Sequence, residues 1–353
     1  MKSTFSPIQI DIQAGCRIHF GLMELAAGAS HRFAGLGLML DRPYVDLQVS
    51  LGTTYEGAVA NSFDTLVHQH LKDVKLEKRG CNVQANFRTH LPLHFGLGSG
   101  TQHACSIASA LGILDCSDRL DLSEANGRPV LKVLQQLVQD NDYGFETAEQ
   151  WLVERSGRCR RSAIGLTGFL QGGLIFDFGH QQQSHSQRQL KVSRVDFPSM
   201  WRIVLIQPPP VRAVYGVRES SLMRTAAQTP NRHVELMLSL AQACQSAARA
   251  TDFSVFTAGL DEYMGLTASL FMAVQGGKYN GPEVALAVEM AKTVGLHGVG
   301  QSSWGPTVFG FARSENDAHA AVTELSDRCG QREVAWQVLI AKPKNEGAIF
   351  RMR

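Results

Sequence analysis

Between residues 8 and 51 short apolar runs alternate with glycine-rich turns. That rhythm predicts strands over 8–12, 17–22 and 44–50. A helical repeat follows over 61–78, and 82–90 reads as a strand leading into a glycine-rich turn. Past the turn, Ala104, Cys105, Ile107, Ala108, Leu111 and Leu114 fall on one face of a helix over 102–114. Further helices are expected over 130–138 and 146–155. Residues 162–178 carry Gly165, Gly168, Gly172 and Gly173 and end in a strand over 173–178.

A Gln/Ser/His-rich run over 180–191 has no apolar period and divides the chain into 1–190 and 191–353. The second part opens with a buried strand over 201–207, stopped by prolines 208 to 210. Helices follow within 218–250, 252–273 and 282–294. A second glycine-rich segment, 295–310, runs into a strand over 307–312, and a helix over 315–327 and a strand over 335–341 complete the order. Such a β-α-β-α-β series implies an α+β arrangement, a small sheet with helices on one side.

Composition adds bounds rather than a function. A chain of 353 residues suits two domains, and a net charge of +2 lacks the basic excess of a nucleic-acid binder. No apolar run is long enough for a membrane span, and the first residues lack the apolar core of a signal peptide. Seven scattered cysteines without a Cys-x-x-Cys pair read as reduced thiols of a cytoplasmic protein. The twelve histidines show no metal-ligand spacing.

The chemistry is concentrated in two glycine segments. In Pro92-Leu-His-Phe-Gly96-Leu-Gly98-Ser99-Gly100-Thr101 two glycines and two hydroxyls stand at a helix start, where free N–H groups and the helix dipole favour phosphate. The alternative is a turn that merely caps a core helix through Ser99. Gly298-Val-Gly300-Gln-Ser302-Ser303-Trp-Gly-Pro-Thr307 is a second candidate cradle. Taken in order, the two segments resemble the superfamily of galactokinase, homoserine kinase, mevalonate kinase and phosphomevalonate kinase (GHMP). Its hallmark is Pro-x-x-x-Gly-Leu-Gly-Ser-Ser before a helix. The resemblance implies a two-domain fold with an N-terminal half like ribosomal protein S5 domain 2 and a ferredoxin-like C-terminal half.

Two departures matter. The kinases often carry Ser-Gly-x-Asp-Asn with an Asp that acts on the acceptor hydroxyl. Here the stretch is Ser162-Ala-Ile-Gly165, with glycine in that place. Gly100 replaces the second serine of the phosphate loop, a position that helps hold magnesium, and a hydroxyl returns as Thr101. Together with Arg17-Ile-His19-Phe-Gly21, Gly157-Arg-Cys-Arg160-Arg161-Ser162-Ala-Ile-Gly165 and Trp201-Arg-Ile-Val-Leu-Ile, these features resemble β-ribofuranosylaminobenzene 5′-phosphate synthases.

That resemblance implies joining phosphoribosyl pyrophosphate to 4-aminobenzoate or 4-hydroxybenzoate. Pyrophosphate and CO₂ are released, at an early step toward methanopterin-type C1 carriers. Arg17, His19 and Arg161 are the catalytic candidates. Gly96, Gly98, Ser99, Gly100, Thr101, Arg160, Ser162, Gly298, Gly300, Ser302 and Ser303 are the substrate-binding ones. Mg²⁺ is the expected cofactor, with Ser99, Thr101 and Glu219 as ligand candidates, and Glu24, Asp41 and Asp177 as further acids near the motifs. The arginines at 158, 160 and 161 read either as a solvated face or as forks for phosphate or carboxylate. Trp304 reads as core packing or as a stacking platform. A homodimer is expected. An ATP-dependent small-molecule kinase and an inactive ligand-binding protein are the competing readings.

Overall fold

The computed structural model describes residues 8–26, 29–52, 82–117, 120, 122, 125–139, 144–180, 190–209, 216–228 and 231–353. The helical repeat at 61–78, Cys81 and nearly all of the polar run at 180–191 lie outside them.

The first sheet begins with β1 (Gln9–Leu22), one continuous strand where the apolar pattern predicts two. Gly15 is the reason for the difference. A Cβ there would stand 2.1 Å from the Leu40 carbonyl oxygen, so the glycine permits a close approach to β2 (Gly35–Gly52) and makes no turn. The β1/β2 register slips between Ala14 and Cys16 and again between His19 and Gly21. Such bulges re-aim side chains, here immediately around Arg17 and His19.

Next come β3 (Asn82–Thr89), α1 (Ser99–Asp115), α2 (Val130–Gln139), α3 (Ala148–Ser156), α4 (Ile164–Gln171), β4 (Leu174–Asp177) and β5 (Val192–Val195). Helix α3 starts where the sequence signals it, with Thr147 and Gln150 forming a reciprocal capping box. Its Trp151 lies on bare Gly112 of α1, where a Cβ would come within 2.4 Å of the ring.

The rest of the chain supplies β6 (Arg202–Gln207), α5 (Gly216–Ala226), α6 (Val234–Arg249), α7 (Phe253–Gln275), α8 (Pro282–Thr293), β7 (His297–Gln301), β8 (Val308–Ala312), α9 (Glu315–Gln331), β9 (Gln337–Ala341) and β10 (Ile349–Met352). All described pairings are antiparallel. One sheet runs β10-β1-β2-β4-β5 with β3 beside β2, the other β7-β8-β6-β9. Strand β10 therefore returns to the first sheet.

The second sheet is buried on both faces, not on one. Val204, Ile206 and Val308 pack with α8 and α9, while Leu205, Phe309 and Phe311 join the core of the first sheet. Phe20 of β1 meets Phe309 at 5.3 Å between ring centroids, and Phe256 of α7 meets Phe311 at 5.2 Å. This aromatic contact sets the two sheets against each other.

Candidate active site

Strand β1, the start of α1, the segment before α4, α5, α7 and β7 enclose a cavity of about 1100 Å³. Of the sequence-derived candidates, Arg17, His19, Thr101, Arg160, Arg161, Ser162, Glu219, Gly300 and Ser303 line it. Gly96, Gly98, Ser99, Gly100, Gly298 and Ser302 stand outside its wall.

The phosphate-loop segment enters α1 with Gly98 as N-cap, in the left-handed region at φ 74° and with no side-chain cap. Thus Ser99 does not cap the helix, and its N-cap position makes no side-chain hydrogen bond. Gly98 also seats Arg17. A Cβ on it would lie 3.1 Å from Arg17 Nε and 3.3 Å from Arg17 Cβ, and the Arg17 N–H donates to the Leu97 carbonyl at 3.0 Å. Buried Nε of Arg17 has no hydrogen-bond partner. Burial lowers the Arg17 pKa to about 10, with Cys16 and Glu219 opposing the shift.

His19 accepts a hydrogen bond from the Gly21 N–H at its Nδ1, 2.9 Å away. The neutral ring then carries its proton on Nε2. Burial, reinforced by Arg17 and Arg161, holds its pKa well below 6.5. His19 is therefore a neutral hydrogen-bond donor at physiological pH and not a cation. Tyr263 of α7 fixes the bulge from below, its hydroxyl donating to the Gly21 carbonyl at 2.8 Å.

The second glycine segment is built differently from a cradle. Gly298 and Gly300 lie in β7, and a Cβ on Gly300 would come 2.4 Å from Met264 Sδ of α7. These glycines let a helix pack tightly on a strand. Ser302 is fully buried. Its hydroxyl accepts from the His19 N–H at 3.0 Å and donates to the Gly96 carbonyl at 2.7 Å, while the Ser303 N–H donates to the His19 carbonyl at 3.1 Å. The two glycine segments thus meet, joined through β1.

Arg161 forms a two-point pair with Glu219, Nη1–Oε1 at 2.9 Å and Nη2–Oε2 at 3.0 Å, and touches the Met223 sulfur at 2.9 Å. Both Glu219 oxygens are occupied by that arginine. The other acids near the motifs are caps. Glu24 is buried and accepts from the Leu25, Ala26 and Asn231 N–H groups. Asp177 is buried and accepts from the Ala163 N–H at 2.6 Å and the Gly179 N–H at 2.9 Å. Asp41 accepts from the Lys342 N–H at 2.7 Å. Gly165 leaves room for Thr101, whose Cγ2 would stand 3.1 Å from a Cβ at 165.

Several lining residues carried no signal in the sequence. Arg32, Arg224, Lys278 and Lys292 come from four separate segments and join the arginines at 17, 158, 160 and 161. Only Glu219 and Asp261 oppose them among the acids of the wall. An apolar stretch of Leu22, Leu25, Phe33, Met223 and Phe271 adjoins Arg161. Trp304 is buried and packs edge-on against Phe271 at 5.1 Å. The cavity therefore suits an anion of several charges together with a flat apolar group.

Comparison with known proteins follows the same lines. Residues 246–331 match the family described as GHMP kinases C terminal. A homoserine kinase from Cytophaga hutchinsonii superposes with a TM-score of 0.62 at 14% identity, covering 99% of both chains. A mevalonate diphosphate decarboxylase from Enterococcus faecalis does so with 0.61 at 14% identity, covering 99% of this chain and 100% of that one. The chain has the GHMP-kinase fold. It is also similar along its length to proteins named beta-ribofuranosylphenol 5′-phosphate synthase. The one from Methanothermobacter thermautotrophicus is 24% identical, over 97% of this chain and 99% of that protein. The one from Archaeoglobus fulgidus is 24% identical, over 94% and 96%. Among the described residues no helix is long and apolar enough to cross a membrane, and the described cysteines are all buried thiols.

Proposed function

We propose that this GHMP-fold chain is a pentosyltransferase. It would join the ribosyl 5-phosphate group of phosphoribosyl pyrophosphate to the ring of 4-hydroxybenzoate or 4-aminobenzoate and release pyrophosphate and CO₂. The observation that carries the reading is the cavity itself, rich in guanidinium groups and with bare Gly165 where a kinase of this fold would need its base. The full-length likeness to the named synthases supports it.

The chemistry asks for anion binding and charge stabilisation, not for a strong base. The bond from ribose C1 to the pyrophosphate oxygen breaks, and its electron pair leaves with pyrophosphate. The ring carbon bearing the carboxylate bonds to C1. The pair of the ring–carboxylate bond then restores aromaticity as CO₂ departs. No ring proton is removed, so no carboxylate base is required. Arg17 and the first turn of α1 serve the departing anion. His19, neutral and carrying its proton on Nε2, offers a hydrogen bond without adding charge. The apolar wall of Leu22, Leu25, Phe33 and Phe271 receives the ring, with Arg161 touching the adjoining Met223 and Arg32 lying over Phe33.

Mg²⁺ fits this reading as an ion carried in on the pyrophosphate. Among the described residues no three His, Cys, Asp or Glu side chains converge on one point, and Glu219 is held by Arg161. Mg²⁺ commonly keeps water and phosphate oxygens and takes few protein ligands. Thr101 is the cavity hydroxyl suited to join it, and the ion would neutralise charge on the leaving group.

The test is incubation of purified protein with phosphoribosyl pyrophosphate, Mg²⁺ and either benzoate, with pyrophosphate measured. Release that requires both substrates supports the reading. Absence of release with either benzoate, or ADP formation from ATP and a small alcohol, overturns it.

A further inference from the structure

The two glycines at the start of α1 are each covered by an arginine. Gly98 seats Arg17, as described above. Gly100 seats Arg158. A Cβ on Gly100 would lie 3.4 Å from Arg158 Nη1 and 3.7 Å from both Cζ and Nη2. Arg158 precedes the Arg160-Arg161 pair, and its side chain lines the cavity. Unlike Arg161, it pairs with no carboxylate among the described residues. Burial pushes its pKa down, with Cys105 opposing and Arg160 and Arg161 adding to that push. An uncompensated, half-buried guanidinium beside two other cations is costly unless a ligand supplies the counter-charge.

We propose that Arg158, in contact with Gly100, is a pyrophosphate-binding residue that holds the leaving group over the uncapped first turn of α1. The inference rests on the transferase reading and adds to it a residue and a ligand group. Its logic is local. The first turn of α1 offers N–H groups and the positive end of the helix dipole. Thr101, in the same turn, offers a hydroxyl to the cavity. Arg158 closes this arrangement with a planar fork suited to two phosphate oxygens. A Cβ at position 100 would meet the fork at ordinary van der Waals distance, so the guanidinium lies in contact with the helix start. Gly100 is helical with no positive φ, so the helix does not need a glycine there for its backbone.

The test is equilibrium binding of inorganic pyrophosphate and, separately, of ribose 5-phosphate, in EDTA, to the wild type and to Arg158→Met, Arg158→Lys and Gly100→Ser. Melting curves establish that each variant is folded. The wild type is expected to bind pyrophosphate without a divalent cation. Arg158→Met should weaken that binding about tenfold, the scale of a lost charge-assisted hydrogen bond. Binding of ribose 5-phosphate should change less than about twofold, because no bond to it is removed. Gly100→Ser adds a side chain beside the fork at ordinary contact distance and should weaken pyrophosphate binding less than Arg158→Met does. Arg158→Lys should fall between Arg158→Met and the wild type, since a point charge lacks the fork. Wild-type protein that fails to bind pyrophosphate, Arg158→Met that binds it as the wild type does, or an equal loss for both ligands would overturn the assignment. Turnover separates this from the broader reading. An Arg158-dependent pyrophosphate site in a protein that makes no ribosylated product sinks the transferase and leaves the anion seat standing. Normal turnover with unchanged Arg158→Met binding sinks the seat alone.

Discussion

The Ser302 hydroxyl donates to the Gly96 carbonyl at 2.7 Å and so ties the second glycine segment to the first. The same oxygen accepts from the His19 N–H. One buried hydroxyl therefore holds the first glycine segment and β1 in register. Replacing Ser302 by Ala would orphan a buried donor and a buried acceptor. The expected cost is ~1–3 kcal/mol, read from urea unfolding, with a rise in KM for phosphoribosyl pyrophosphate. Unchanged stability and kinetics would show that the brace is dispensable.

Gly300 lines the cavity and also packs under Met264 of α7, and a packing role is the one expected of it. An alanine there pushes its Cβ toward Met264 Sδ, a contact of 2.4 Å before relaxation. Because the thioether can shift, the expected loss is about 1 kcal/mol, at the low end for overpacking. Pyrophosphate affinity should stay within about twofold of wild type once the fold is intact. Lost affinity at unchanged stability would restore Gly300 to a direct ligand role.

Two buried histidines predict a pH dependence of stability. Burial holds His19 well below 6.5 and lowers His103 to about 4, with His90 and Arg158 adding to the His103 shift. Both are neutral in the folded protein above that range. An unfolded chain would protonate them near 6.5, so it binds more protons between about pH 4 and 6.5. Stability should be full above pH 6.5 and should fall as pH drops through that window, on the order of 2–3 kcal/mol for His103. Urea unfolding at pH 7.5, 6 and 5 measures the decline, and His103→Gln should make it shallower. A flat profile in both proteins would contradict the assignment.

Gly165→Asp asks whether the missing carboxylate alone separates this site from a kinase. The new side chain would press on Thr101, whose Cγ2 and Oγ1 lie 3.1 and 3.4 Å from the new Cβ. Turnover with phosphoribosyl pyrophosphate is expected to fall at least about tenfold, as a misplaced group near the reacting atoms commonly costs that much or more. No ADP should form from ATP and alcohol acceptors. Appearance of kinase activity would mean that the nucleotide site is intact.

Much of this architecture is legible in the chain because its local signals agree. The apolar face from Ala104 to Leu114 and the helical run over 146–155 place α1 and α3 within a few residues of where they lie. Glycine was the ambiguous letter. Gly15 reads as a turn and is a strand bulge; Gly298 and Gly300 read as a loop and are strand residues under α7. In each case a neighbour from far along the chain decides, and periodicity contains no trace of it. The site divides in the same way. Arg17, His19, Thr101 and Arg161 stand in motifs, whereas Arg32, Arg224, Lys278 and Lys292 meet only through the fold. Glu24 and Asp177, read as acids near the motifs in reach of Mg²⁺, are buried and accept hydrogen bonds from backbone N–H groups.

The central claim is a ribosyl transfer driven by loss of pyrophosphate and CO₂ from one cavity. Carboxyl-labelled 4-hydroxybenzoate or 4-aminobenzoate, incubated with phosphoribosyl pyrophosphate and Mg²⁺, tests it most directly. The account predicts labelled CO₂ and pyrophosphate released in equal amounts, each dependent on both substrates, with an unlabelled ribosylated ring as product. Pyrophosphate release with the label retained on the ring, or no release at all, would contradict it.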